Sequence, residues 1–335
     1  MKYTIVGAGA IGGYLGAKLA LAGEDVTFIA RNRNLAAINA RGMTLHLPDG
    51  TSEQAKNVRA VQEAAEAGPQ DVVLLTTKAH QLLDLVPGMQ ALFGPETMVV
   101  SMVNGIPWWY FQKLGGAYEA QQLRSVDPDG ALSAGIDVKR IIGGIVYPAA
   151  ELLEPGVIKV IEGNRFTLGE LDNQRTPRIE ALSKSMMAAG FKAPVSRDIR
   201  SEIWVKLWGN LTFNPVSALS HATLEDICTY PLTRALAQRM MEEAQRVGEK
   251  LGVIFKVSVD QRIAGAQAVG AHKTSMLQDV EQGRALELEA LLGSVVELAR
   301  ITDTPTPNLD AIYAVTSLLS HTLTQQGGKL ALQSA

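Results

Sequence analysis

The chain has 335 residues, and its 31 Lys and Arg against 34 Asp and Glu leave a formal charge of -3, with 47% of residues hydrophobic and 19% charged. That balance describes a globular chain of about two domains and excludes the strong basic field of a general nucleic-acid binder. The five histidines show no metal-ligand spacing, so no metal site is expected. Cys228 is the sole cysteine, which excludes a disulfide framework and suits a small buried hydrophobe in a reducing cytoplasm.

Lys2 and the apolar stretch ending Leu19-Ala20-Leu21-Ala22 have the outline of an export signal, but Lys18 and the glycines from Gly7 to Gly16 interrupt it. No stretch reaches the ~18 apolar residues of a membrane span, so the expectation is a protein neither exported nor inserted. Tyr3-Thr4-Ile5-Val6 reads as a strand and stops at Gly7-Ala8-Gly9-Ala10-Ile11-Gly12. Helical spacing follows through Tyr14, Leu15 and Leu19, and Val26-Thr27-Phe28-Ile29 completes a βαβ unit. In such a turn Gly7 permits the bend, Gly9 lets a pyrophosphate approach the backbone, and Gly12 lets the helix pack on the strand. After the second strand, where an acid ordinarily holds a ribose hydroxyl, the chain reads Ala30-Arg31-Asn32-Arg33. A guanidinium there suits a 2′-phosphate, so NADPH/NADP+ is favoured over NAD(H); otherwise Arg31 is a solvated loop charge.

Asp71 to Lys78 and Thr97 to Gly105 are apolar runs with polar ends, the pattern of buried parallel strands. Ligands in such sheets lie beyond the carboxyl ends of the strands, which makes Lys78 and Asn104 cofactor or substrate candidates; the alternative is an ordinary polar strand end.

Beyond about residue 198 the β-rich runs cease and the chain reads as helices broken at Pro215, Pro231, Gly252 and the Pro305, Pro307 pair. The expected division is therefore 1–198, a dinucleotide-binding Rossmann domain, and 199–335, an all-helical domain, in an α/β chain. Lys206, Asn210 and Asn214 stand at i, i+4 and i+8, on one face of a helix otherwise covered by Val205, Leu207, Leu211 and Phe213. Such a stripe meets a ligand or makes interhelix hydrogen bonds. Further on, Lys273-Thr274-Ser275-Met276-Leu277-Gln278-Asp279 precedes Glu287 in a helix-forming run; by propensity alone Thr274 or Ser275 is a helix cap and Glu287 a surface charge.

These segments, in this order, resemble the ketopantoate reductase family over nearly the whole chain. The markers are Gly7 to Gly12, Thr77-Lys78-Ala79, Asn104-Gly105, the Lys206…Asn210…Asn214-Pro215 helix, and Ser275 to Asp279 with Glu287. The resemblance implies an NADP-dependent oxidoreductase that reduces 2-dehydropantoate in pantothenate biosynthesis. It makes Lys206 the general acid, Asn210, Asn214 and Ser275 substrate ligands, and Asn104 a contact to substrate and cofactor. Glu287 would reach the cofactor, and Lys78, Asn104 and Ala150 would lie along its nicotinamide half.

Two features depart from the family pattern. Where an asparagine often follows Asn214 by about ten residues, this chain has Ala222-Thr223-Leu224-Glu225, so one substrate contact is missing or is replaced by Thr223. The stretch from Asn104 to Ala150 is also long and begins with Trp108-Trp109-Tyr110-Phe111. That run reads either as packing of a longer subdomain or a homodimer contact, or as a wall or lid admitting a bulkier 2-oxo acid. The expected partner is a small 2-oxo acid, with no nucleic acid and no membrane; a homodimer is compatible with the sequence. The rival readings are a paralogous reductase of another 2-oxo acid and a non-catalytic NADP(H) sensor.

Overall fold

The structure, a computed structural model, describes residues 1–329. It forms two compact units. Met1–Val103, Pro107–Gln122 and Asp127–Ile199 make up the first; Asn104–Ile106, Leu123–Val126 and the described residues 200–329 make up the second. A single division after residue 198 does not describe this grouping. Hydrogen bonds account for the two excursions: the Ile106 amide donates to the Ala290 carbonyl at 2.9 Å, and the Arg124 and Ser125 amides donate to the Glu297 carboxylate at 2.8 Å each.

In the first unit, β1 (Lys2–Val6), β2 (Asp25–Ile29), β5 (Val58–Val61), β6 (Gln70–Leu75), β7 (Phe93–Ser101), β8 (Ile141–Val146) and β11 (Phe166–Gly169) form a seven-stranded sheet. Its order is β11-β8-β7-β6-β1-β2-β5, parallel except for β11. The two expected parallel strands downstream of the βαβ unit are β6 and β7. Val72 to Leu75 are all wholly buried, which is why they read as a continuous apolar run with no alternation. A second sheet pairs β3 (Met43–His46), β4 (Ser52–Ala55), β9 (Ala149–Glu154) and β10 (Val157–Glu162) in the order β4-β3-β10-β9. It packs on α1 (Ala10–Leu21), which therefore has a sheet on two sides and is buried over most of its length. Short helices α2 (Asn32–Arg41), α3 (Leu82–Leu85) and α4 (Ala131–Gly135) lie in the connections, and α5 (Pro177–Ala188) follows β11.

The second unit is helical. Its principal element is α6 (Ile199–Ser220), 22 residues long. The expected break at Pro215 does not occur: the helix continues past it to Ser220. A proline inside a helix costs roughly 3 kcal/mol. Here the buried Trp204, Leu207, Trp208 and Leu211 hold the helix in place, and Trp208 donates its indole N–H to the Met241 carbonyl at 2.8 Å. Then come α7 (Leu224–Thr229), α8 (Pro231–Lys250), α9 (Val259–Gln267), α10 (Ser275–Glu281), α11 (Ser294–Ile301) and α12 (Pro307–Gln325). Pro231 and Pro307 open α8 and α12 as first-turn prolines, and Gly252, at φ +82°, follows the end of α8, as the sequence led one to expect. Among the described residues no helix is long and apolar enough to cross a membrane.

The start of α12 depends on one buried carboxylate. Glu243, on α8 and 3% exposed, accepts hydrogen bonds from the Asn308 amide (3.1 Å), the Asn308 side chain (2.6 Å) and the Leu309 amide (2.9 Å). Glu243→Ala leaves those donors unsatisfied. It should lower the unfolding free energy by roughly 2 to 4 kcal/mol. Glu243→Gln, which keeps one acceptor oxygen, should lose less. Urea unfolding of the two variants checks the order.

Candidate active site

The strand order places β2, β1 and β6 side by side, so the residues just beyond their carboxyl ends form a row: Arg31, the glycine turn, and Lys78. Gly7 has φ +105°, and Thr76 ties the turn down by donating its hydroxyl to the Gly7 carbonyl at 2.8 Å. A Cβ on Gly12 would overlap the Gly7 carbonyl and the Thr76 hydroxyl, so a side chain there would push α1 off the strand. Gly9 precedes α1, and a Cβ there would meet nothing within 4 Å. No side chain caps this helix and no acid lies in its first turn. The space above Gly9, facing the amides and positive dipole end of α1, fits a dinucleotide pyrophosphate. Arg31 precedes α2 and is exposed. Lys78 is half-buried and starts the short helical turn after β6. Ala150 lies on β9, beside α1, and pairs with Val160.

Sequence reading missed Asn34. From α2 its amide donates to the Ala8 carbonyl at 2.5 Å, while its oxygen accepts from the Gly156 amide at 2.9 Å. The glycine turn is thus clamped from outside the motif, by a bond no local pattern announces.

In the second unit the polar stripe of α6 is buried at Asn214 and half-buried at Lys206 and Asn210. Lys206 donates from Nζ to Oδ1 of Asn104 at 2.5 Å. Burial pushes the lysine down from its ordinary 10.5 to about 8, against the opposing pull of the Glu287 carboxylate. Asn104 is held there by a π-helical turn, Glu289–Gly293, which precedes α11. In that turn the Ser294 amide reaches back to the Glu289 carbonyl, which frees the Ala290 carbonyl. The freed oxygen accepts the Ile106 amide at 2.9 Å and the Ser294 hydroxyl at 2.8 Å, fixing the backbone two residues after Asn104. Glu287 was expected inside a helix-forming run; it lies just before the helix, and its carbonyl accepts from the Leu291 amide.

Asn210, Asn214 and Ser275 meet across a cavity of about 220 Å³, whose wall also includes Phe213, Arg262 and His272. The Asn214 amide donates to the Ser275 hydroxyl at 3.4 Å. Thr274, not Ser275, caps α10, accepting the Leu277 amide at 3.2 Å; Ser275 is left exposed on the first turn. Thr223, the expected alternative to the missing asparagine, caps α7. Its hydroxyl is engaged with Asp226 in a capping box that starts α7.

The aromatic run packs inside the first unit. Trp108, Trp109, Tyr110 and Phe111 are all buried, and Trp109 lies against Gly143 of β8. Trp108 borders a separate cavity of about 600 Å³ beside Phe93 and Ile141, the first residues of β7 and β8. That cavity is larger but sits at the amino edge of the sheet and contains none of the candidate residues. The features that suggested a lid or a homodimer contact are thus accounted for by internal packing. Cys228 is buried as expected, and burial pushes its thiol up.

Known proteins resemble this chain over nearly its whole length. The family model described as Ketopantoate reductase PanE/ApbA matches residues 3–173, and that described as Ketopantoate reductase PanE/ApbA C terminal matches residues 198–320. A curated 2-dehydropantoate 2-reductase from Mesorhizobium japonicum is 52% identical over 96% of this chain and 98% of its own. A ketopantoate reductase homologue of known structure from Ralstonia solanacearum MolK2 is 38% identical, with a TM-score of 0.91, over 96% of this chain and 98% of its own. D-mandelate dehydrogenase, solved as a ternary complex with NADH and anilino(oxo)acetate, shares the fold at 22% identity and a TM-score of 0.82, over 97% of this chain and 99% of its own.

The environment of Lys206 sets a measurable property. Its ammonium should titrate near 8. Glu287→Gln removes the charge that favours the protonated form, so the midpoint should fall below that of the unmodified chain. Lysine side-chain NMR, with Lys206→Arg identifying the resonance, reads both values.

Proposed function

The chain belongs to the ketopantoate reductase family, and we propose from this that it reduces 2-dehydropantoate to pantoate with NADPH as reductant. The observation that carries the reading is a desolvated ammonium on the same helical stripe as two amides, which with Ser275 wall a small cavity. A sensor of NADP(H) has no use for that stripe. A bulkier substrate has lost the aromatic wall that would have accommodated it.

Enzymes of this family are nicotinamide-dinucleotide oxidoreductases. In this chain the turn from Gly7 to Gly12, including the amides of Ala8, Ala10 and Ile11, would hold the pyrophosphate. Arg31 would hold the 2′-phosphate, Lys78, Asn104 and Ala150 would line the nicotinamide half, and Glu287 would reach the cofactor as well. The bound nicotinamide supplies the hydride for the 2-oxo carbon. As negative charge builds on the carbonyl oxygen, the Lys206 ammonium stabilises it and then gives up its proton from Nζ. Asn104 Oδ1 accepts a second Nζ proton and so orients the ammonium. The Glu287 charge keeps the lysine protonated close to neutral pH, where an acid of pKa about 8 is still charged yet transfers its proton readily. Asn210, Asn214 and Ser275 hold the remaining oxygens of the acid without adding charge beside the lysine. The division of labour is a nucleotide-binding first unit and a second unit carrying the acid and the substrate contacts. We place this chemistry in the cytoplasm.

Steady-state comparison of 2-dehydropantoate with phenylpyruvate and branched 2-oxo acids tests the substrate: 2-dehydropantoate should have the highest kcat/KM, and a poorest rank for it would refute the reading. Lys206→Ala should lower kcat by roughly 10² to 10⁴-fold while NADPH affinity stays nearly intact. For the unmodified enzyme, reduction should fall as pH rises through about 8, because only the protonated amine can act as the acid. Cofactor choice is separable. Arg31→Asp should weaken NADPH binding about ten- to a hundredfold and change NADH binding little, as fluorescence titration with each dinucleotide would show.

A further inference from the structure

The reading above provides an acid for the carbonyl oxygen and uncharged groups for the remaining oxygens, but a 2-oxo acid brings a carboxylate, whose removal from water is costly unless a positive charge pairs with it. Lys206 is committed to the other oxygen. Of the residues lining the cavity beside Asn210, none is Asp or Glu, and one carries a permanent positive charge: Arg262, on α9.

Arg262 reaches the cavity across an absent side chain. Gly209 sits in the middle of α6, between buried Trp208 and Asn210, a position where glycine weakens a helix relative to alanine. A Cβ at Gly209 would overlap Nη2 of Arg262 and stand 3.0 Å from its Cζ. The guanidinium therefore rests on the bare backbone of α6, next to Asn210 on the cavity wall. The mid-helix glycine thereby has a physical reason. His272 and Ser275 lie on the same wall, and no residue of this lining carries a like charge to oppose a carboxylate.

Resting on the reductase reading, we propose that Arg262, seated on Gly209, binds the carboxylate of the 2-oxo acid and makes the cavity select an anion over its neutral counterpart. The planar fork of a guanidinium matches the two oxygens of a carboxylate, which an ammonium or an amide does less well.

The test compares 2-dehydropantoate with its methyl ester. Unmodified enzyme should prefer the acid. Arg262→Gln should raise KM for the acid about ten- to a hundredfold with a smaller change in kcat, and leave KM for the ester and for NADPH unaltered, so that the preference disappears. Arg262→Lys should restore part of it. Gly209→Ala keeps the charge but displaces it, and should lose the preference in the same way while circular dichroism reports an intact helical fold. An unchanged KM for the acid in Arg262→Gln, or equal losses for acid and ester, would overturn the assignment. Failure of the unmodified enzyme to reduce any 2-oxo acid would overturn the reductase reading itself, and this inference with it.

Discussion

Burying the Lys206 ammonium costs it proton affinity, and the surroundings of the lysine are organised around limiting that cost. A fall from 10.5 to about 8 corresponds to about 3 kcal/mol between the charged and neutral forms. Glu287 opposes the fall by its charge, and Asn104 accepts a hydrogen bond from the ammonium. Because the folded value lies below the unfolded one, the charged lysine weakens the fold in full below about pH 8. That cost is relieved as pH rises from there towards 10.5, where the folded chain releases its proton before the unfolded chain does. Stability and proton donation thus pull in opposite directions across the same range. Near neutral pH the fold keeps the charged form, which an acid requires.

The same constraint explains the irregular backbone around the lysine. An asparagine can orient an ammonium only if its own backbone is fixed, and Asn104 lies in a turn with no helix or strand of its own. The π-helical turn supplies the missing bond by freeing the Ala290 carbonyl for the Ile106 amide. This tie groups Asn104–Ile106 with the helices although they directly follow Val103 of the first unit, two residues beyond the end of β7. Glu297 does the same for Leu123–Val126 through two backbone amides. Long connections in which such bonds are satisfied by distant residues look featureless in sequence.

The βαβ unit, the parallel strands ending near Lys78 and Asn104, and the Lys206, Asn210, Asn214 stripe were all legible in the chain. Each depends on spacing within a few residues: glycines at a turn, continuous apolar runs for strands buried on both faces, and a period of four along a helix. Pro215 shows the limit of such reading. Its local preference is against helix, yet Trp204, Leu207, Trp208 and Leu211 bury enough apolar surface to carry α6 through it. Trp108 to Phe111 left both packing and substrate lining open, since a buried aromatic run looks the same whether it faces a core or a ligand.

By itself, then, the sequence determined the α/β class, the dinucleotide-type turn and the helix face bearing the lysine, because these rest on local periodicity and backbone sterics. Only the tertiary structure decided the sheet that joins β3 to β10, the clamp of Asn34 on the glycine turn, the commitment of Thr223 to a helix cap, and the seat of Arg262 on Gly209. In each of these a polar group or an empty Cβ position acquires its meaning from a partner brought near by folding. Asn34 and Gly156, or Gly209 and Arg262, lie far apart along the chain, and no local pattern encodes their meeting.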